Sequence, residues 1–319
     1  MTNTIALVGF LPATLLGAAI AVPLSGVLVR YRANYAKRIQ LDGETGSATH
    51  TEVKGYFAMM KRVYKLEGWA GLYKGFMPAV LGSILAALFG LLIPVAAGLQ
   101  RTPLHTISFQ ALFTFFFGVI VGIPVSIITN RAICTPYVLP FFSPKLALCV
   151  LLTPTERRRP WTLYCTPGLF FVHILTFIIS FFVVGIASRL VGWTAISSHE
   201  AVFKGLFMAL YAVLLILASV LIAPLQVVTL RLSLQRNHDD NVAEGQPRTE
   251  AEQASHLKLR EYSPDTDVMG FRNEFDPYMS LYDCVTRMKQ EEGWKVFYRA
   301  YWVTLIFHAA GAGLSIPAL

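Results

Sequence analysis

Two histidines, three arginines and a set of prolines stand out by chemistry and spacing in this 319-residue chain. His173 and His308 each sit inside a long stretch that contains no Asp, Glu, Lys or Arg. Ionisable groups are costly to place against lipid, which makes them binding candidates; a neutral histidine hydrogen-bonded between helices is the plainer alternative. Cys134, Cys149, Cys165 and Cys284 show no CxxC or other metal-ligand spacing. No nucleophile elbow, phosphate-binding glycine loop or metal cluster occurs, so no catalytic residue, metal or cofactor is expected and an enzyme is unsupported.

The prolines and arginines form a pattern. Pro23, Pro124 and Pro224 are 101 and 100 residues apart, and each is followed at the seventh position by an arginine: Arg30, Arg131 and Arg231. The second position holds Ser25, Ser126 or Gln226, and the fifth Leu28, Thr129 or Thr229. Residues 67–75 read Glu-Gly-Trp-Ala-Gly-Leu-Tyr-Lys-Gly, and 292–300 read Glu-Gly-Trp-Lys-Val-Phe-Tyr-Arg-Ala. An amphipathic segment precedes each, 56–66 and 281–291, with Tyr56, Met60, Val63 and Leu281, Val285, Met288 at helical spacing. Glu67-Gly68 and Glu292-Gly293 suit a helix end, where glycine takes the left-handed conformation. In the middle copy Glu156 is followed by Arg157, Arg158 and Arg159, and only the aromatic Tyr164 of the later run remains.

The elements that position these residues follow from where charge is absent. Charged residues make up 14% of the chain, against roughly 25% in soluble domains, and the mean hydropathy is +0.53. Residues 1–29, 75–100, 102–130, 160–188, 205–230 and 300–319 carry no charged side chain, and about 20 helical residues cross a hydrocarbon core. Six membrane-spanning helices are predicted, since a bilayer leaves an exposed backbone unsatisfied. The first lacks a basic segment ahead of it and reads as a retained helix, not a signal peptide. The apolar stretch 132–155 is broken by Pro136, Pro140, Pro144 and Pro154 and reads as a loop or surface segment.

Twenty-four of the 27 Lys and Arg residues fall in 30–74, 131–159 and 231–299, on one side of the predicted spans. Excluding the polar, acidic insert 233–276, the net charge rises from +8 to +13. That basicity is topological, with anionic lipid as a partner at the basic face, the cluster Arg157–Arg159 included, and no nucleic acid. The insert has few apolar residues and reads as disordered.

The proline–arginine spacing and the Glu-Gly and aromatic-base-Gly runs together resemble the mitochondrial carrier family. Its signature is Pro-x-[Asp/Glu]-x-x-[Lys/Arg]-x-[Lys/Arg], a surface helix, then [Asp/Glu]-Gly and aromatic-[Lys/Arg]-Gly. The resemblance implies an all-α membrane protein of six transmembrane helices in three pseudo-symmetric two-helix repeats: 1–100, 101–199 and 200–319. It also implies a multi-pass protein of the mitochondrial membrane, the inner one favoured, that moves a small solute by alternating access. The family's acidic and basic gate positions are Ser25, Ser126, Gln226 and Leu28, Thr129, Thr229 here, so no ion-pair ring forms; a weaker, hydrogen-bonded closure is expected. Pro23, Pro124 and Pro224 are the expected kinks or hinges, with Arg30, Arg131 and Arg231 beside them.

Counting from the family's aromatic-x-Gly glycine places the pocket. Gly75 gives Gly82, Ser83 and Gly90; Thr166, taken as its counterpart, gives His173; Ala300 gives Phe307 and His308. Phosphate-holding arginines are missing from those positions, which disfavours a di- or triphosphate solute. The loss of this charged gate, and of the family's second one on the even-numbered helices, where 75–100 and 300–319 carry no charge, also leaves open a second reading, a carrier-fold membrane adaptor that does not transport.

Overall fold

The computed structural model describes residues 19–35, 53, 55–87, 109–140, 143–196, 201–237, 250–263, 268–272 and 276–309. Among them the chain is helical, with one isolated bridge (Tyr137 to Glu261) and no strand. Helix α1 covers 19–33. It is followed by α2 (Tyr56–Leu72), α3 (Phe76–Ala87), α4 (Phe109–Cys134), α5 (Pro144–Leu151) and α6 (Pro154–Arg158). Then come α7 (Leu169–Ile196), α8 (Ala201–Leu234), α9 (Glu250–His256), α10 (Leu281–Glu291) and α11 (Tyr301–Ala309). Helix α8 packs along α7 and against α4 and α11, while α3 packs on α4.

Apolar side chains cover much of the outer surface, and a set of polar side chains is buried among the apolar core. Along α8, Leu206, Leu210, Val213, Leu217 and Leu221 face outward at helical spacing, while Ser219, Ile222, Ala223 and Val227 are buried. Buried polar side chains line the inner faces of the other long helices: Ser126, Thr129 and Asn130 on α4, His173 and Thr176 on α7, Thr304 and His308 on α11. A water-soluble fold would arrange these the other way round. Ala212–Leu234 is the one segment among the described residues that is long and apolar enough to cross a membrane; Phe76–Leu85, Gly118–Cys134 and Leu169–Ser180 are shorter apolar helices.

Each proline inside a helix frees the carbonyl four residues earlier. At Pro23 that carbonyl is Ala19, which accepts from the Tyr73 hydroxyl at 3.1 Å. At Pro124 it is Ile120, which accepts from Tyr164 at 2.6 Å. The aromatic residue of the second motif therefore repairs the helix that the proline of the first interrupts. Gly118 and Gly122 let α7 approach α4 at the same level: a Cβ on Gly118 would stand 3.1 Å from the Phe177 ring.

The surface segments differ from expectation in two ways. Pro144 and Pro154 do not prevent helices within 132–155; each stands in the first turn of a short one, α5 or α6, where its missing N–H is no loss. The segment 233–276 contains helix α9, whose Ala254 is buried against Val150 and Tyr137, and Met269 is buried against α1 and α2. Its charges are used as well: Glu250 pairs with Arg236 at 2.8 Å and accepts from Thr135. Its described parts are ordered by these contacts, although the composition predicted disorder.

Gly68 and Gly293 both take positive φ (67° and 86°), with extended ψ in place of the left-handed helical cap expected; Gly68 kinks α2, which runs on to Leu72, and Gly293 follows the end of α10. The buried face of α2 is Tyr56, Met59 and Val63, with Met60 half-exposed, and that of α10 is Cys284 and Met288.

Replacing Tyr164 by Phe removes the donor to Ile120 and should lower stability in detergent by about 1 kcal/mol. Tyr298→Phe is the control, because the Tyr298 hydroxyl makes no such bond among the described residues. Thermal unfolding of the two variants side by side measures the difference.

Candidate solute cleft and its arginine clamps

Three arginines leave the ends of α1, α4 and α8, and each meets a buried glutamate. Arg30 pairs with Glu67 at 2.7 Å, Arg131 with Glu156 at 2.6 Å, and Arg231 with Glu292 at 2.9 Å. All six side chains are almost completely buried. In the first and third clamps a second cation shares the carboxylate: Lys74 on Glu67 at 2.6 Å and Arg299 on Glu292 at 2.9 Å. These are the basic residues of the two Tyr-base runs. In the middle clamp Cys165 stands at the corresponding place, and the Glu156 carboxylate instead accepts from the backbone N–H groups of Thr153 and Asn237. Thr153 returns a hydrogen bond to Glu156 N–H, a reciprocal helix cap.

Each arginine also reaches the next long helix. Arg30 donates to the Ile133 carbonyl (2.9 Å), Arg131 to Ser233 (3.1 Å) and Arg231 to Asn34 (3.0 Å). The order α1 to α4 to α8 and back to α1 closes a cycle. A cation at a helix C-terminus meets the negative end of the helix dipole and satisfies carbonyls that lack an intrahelical donor.

Burial alone would raise the pKa of Glu156, but Arg131 and the two N–H groups outweigh it and hold the carboxyl below the usual range. Burial pushes Lys74 down to about 8 against the pull of Glu67, helped by the nearby Arg30 charge. The Lys74 ammonium also lies over the Tyr262 ring, 4.0 Å from its centroid.

Above the clamps is a narrow cleft of about 90 Å³, lined by α1, α4, α7, α8 and the start of α3. Ser25, Leu28, Ser126, Thr129, Gln226 and Thr229 all line it, and so do His173 and Thr176. Ser25 and Ser126 turn their hydroxyls back to Val22 and Ile123 of their own helices. The hydrogen-bonded ring expected among the six positions is not formed. Gln226 bonds outside the set instead, accepting from Arg32 at 2.8 Å and from Thr304 at 3.3 Å. Arg32, which lines the same cleft, also donates to Thr304 Oγ1 (2.7 Å) and the Arg299 carbonyl (3.1 Å).

The pocket positions counted from sequence are scattered. His173 lines the cleft, with its ring 5.7 Å from that of Phe177. Phe307 packs between α11, α1 and α2, and His308 meets Ser219 Oγ through Nδ1 at 2.8 Å, so neither lines the cleft. Ser83 is exposed on α3, and Gly82 faces an apolar groove between α3, α4 and α5. Gly90 lies outside the described residues.

The register of the middle copy explains one discrepancy. Helices α3 and α11 begin directly after Gly75 and Ala300, both with positive φ (81° and 49°), whereas α7 begins after Gly168 (φ 80°). The counterpart of Gly75 is thus Gly168 and not Thr166, and the same count reaches Thr176, which also lines the cleft. Tyr164 still occupies its aromatic position, so two extra residues separate aromatic and turn. Arg32 was missed because it lies two positions past the family's last basic residue, where Ile133 and Ser233 stand in the other copies.

Among the described residues the chain is all-helical, with apolar side chains on its outer faces and a cleft lined partly by polar side chains between long helices. The sequence profile of the family described as "Mitochondrial carrier protein" matches residues 11–93. That stretch includes Pro23, Arg30, Glu67, Gly68, Lys74 and Gly75. The match covers about a quarter of the chain and makes this stretch similar to that family. No curated protein matches the chain.

Glu156→Ala leaves Arg131 buried without a counter-charge and should cost about 3–5 kcal/mol in thermal or chemical unfolding. The double variant Arg131→Met, Glu156→Leu should recover part of that loss. Lys74 supplies a second measurement. Its folded value of about 8 lies below the ordinary 10.5, so the unfolded chain holds more protons between them. The Lys74 contribution to stability therefore rises as pH climbs from about 8 to about 10.5, and is lost on descent through 8. Unfolding of wild type and Lys74→Met across that range should diverge in favour of wild type with rising pH.

Proposed function

We propose that this protein carries a small solute across the mitochondrial inner membrane by alternating access, as a six-helix bundle of three repeats, 1–100, 101–199 and 200–319. The observation that carries the reading is the cleft itself: all six positions that form the gate in the family meet there, together with His173 and Thr176. The three arginine clamps support the repeat, since the same pair recurs in each third of the chain. Basic residues concentrate on the clamp side, which favours placing that end in the matrix.

His173 and Thr176 are the solute contacts favoured by this reading, with Pro23, Pro124 and Pro224 as the flexing points beside the cleft. Charges at the gate are replaced by neutral groups, so closure costs little to break: interhelical hydrogen bonds in membranes average about 0.6 kcal/mol. A carrier of this kind should exchange readily and leak more than one closed by ion pairs.

Reconstitution of the full chain in liposomes with a panel of metabolites tests the proposal. Exchange of at least one solute above protein-free liposomes is expected, and His173→Leu should raise its half-saturation concentration several-fold with expression unchanged. Absence of exchange for the whole panel, together with outer-membrane residence on fractionation, would favour the adaptor reading. Unchanged transport in His173→Leu would remove His173 from the site.

A further inference from the structure

Arg32 differs from the other buried arginines of this fold. Arg30, Arg131 and Arg231 each face a glutamate, whereas Arg32, 3% exposed, faces a carbonyl, an amide oxygen and a hydroxyl. All three of its partners are neutral, and no carboxylate pairs with it among the described residues. A guanidinium carries five N–H groups, so two remain after these three bonds. A buried cation without a counter-charge is unfavourable by several kcal/mol, and an anion beside it removes most of that cost.

The groups around it are of the kind an anion needs. Thr129 Oγ1, Thr229 Oγ1 and Gln226 Nε2 are buried atoms without a hydrogen-bond partner among the described residues, and all three residues line the cleft with Arg32. Thr129 is itself only 2% exposed. Each of these atoms can donate, and Asp and Glu are absent from the lining. The cleft is small, about 90 Å³, and accommodates a compact ion.

We propose that the ring of neutral gate residues holds a compact monovalent anion of the chloride or formate type, bound by Arg32, Thr129, Thr229 and Gln226. The anion supplies the negative charge that the gate has lost in Ser25, Ser126 and Gln226. It bridges α1, α4 and α8 at a level where Arg32 and Gln226 join only the first and last of them. The proposal rests on the carrier reading solely in calling these positions a gate. Binding is measured without transport, so a failure of one leaves the other standing.

The test is thermal unfolding of the full-length protein in detergent, titrated with sodium chloride or sodium formate, with sodium gluconate keeping ionic strength constant. A ligand that binds only the folded state raises the midpoint in a saturable way. A saturable rise is expected with chloride and with formate, but not with gluconate, a much bulkier anion. Arg32→Gln should abolish the rise, and Thr129→Val combined with Thr229→Val should weaken the apparent affinity about tenfold, the effect of roughly 1.4 kcal/mol. The threonine variant keeps the arginine in place, so it decides the matter if Arg32→Gln does not fold. No rise with either ion, an equal rise with gluconate, or an undiminished rise in the folded variants would overturn the proposal.

Discussion

Burying a guanidinium at the end of a long apolar helix is costly without a nearby anion, and at the ends of α1, α4 and α8 a buried glutamate supplies one. Arg30, Arg131 and Arg231 each lie seven residues after a proline, and each finds its glutamate on or just after a surface helix further along the chain. A buried pair of this kind stabilises little over an apolar replacement, yet breaking it is costly. Its value here is positional. The arginine ties its own helix to the glutamate segment and, through a second bond, to the carbonyl end of the next long helix. Helices α1, α4 and α8 are thereby held in a closed cycle at one end, while the cleft side carries no comparable charge pair among the described residues.

The middle clamp shows how the constraint survives a changed sequence. Without Gly after Glu156 and with Cys165 where a base stands in the other copies, both familiar features are gone. The carboxylate is nevertheless the most buried of the three, fully enclosed, because backbone N–H groups replace the missing cation. One of those N–H groups belongs to Asn237, whose side chain also bonds Thr162 and Thr166. Asn237 opens the polar segment that composition marks as surplus. Part of that segment is therefore bound to the clamp, and α9 continues the contact by placing Glu250 against Arg236 and Thr135.

What could be read from the sequence was whatever depends on spacing along one helix. The proline-to-arginine interval, the glycines that kink α2 and follow α10, and the loss of charge at the gate are all local and all appear in the structure. What could not be read depends on neighbours brought together by folding. Tyr73 and Tyr164 were visible as motif residues, but their role at the carbonyls freed by Pro23 and Pro124 requires two helices side by side. Counting from Thr166 missed Thr176 because two inserted residues move the left-handed turn to Gly168, and backbone conformation is not written in the motif. Ser83 and His308 sit at the right distance along their helices but on faces that turn away from the cleft. Order within 233–276 comes from a few buried contacts and paired charges, which average composition conceals.

The distribution of strong and weak contacts also bears on how such a bundle could move. Among the six gate positions, the interhelical hydrogen bonds are those of Gln226, and its partners Arg32 and Thr304 belong to α1 and α11. Helix α4 contributes Ser126, bonded to its own backbone, and Thr129, bonded to nothing among the described residues. Among the gate positions, then, Gln226 links α8 to α1 and α11, while Ser126 and Thr129 make no interhelical hydrogen bond. Directly after Thr129, Asn130 reaches Ser233 and Arg131 reaches Ser233 and Gln235, so the same helix is firmly fixed at its end. A helix anchored at one end, interrupted by Pro124 above the anchor and unbonded between them can pivot at the proline with little loss of hydrogen bonding. Threefold sequence spacing does not require the three long helices to move alike, and the polar contacts of this cleft make α4 the one with the least to break.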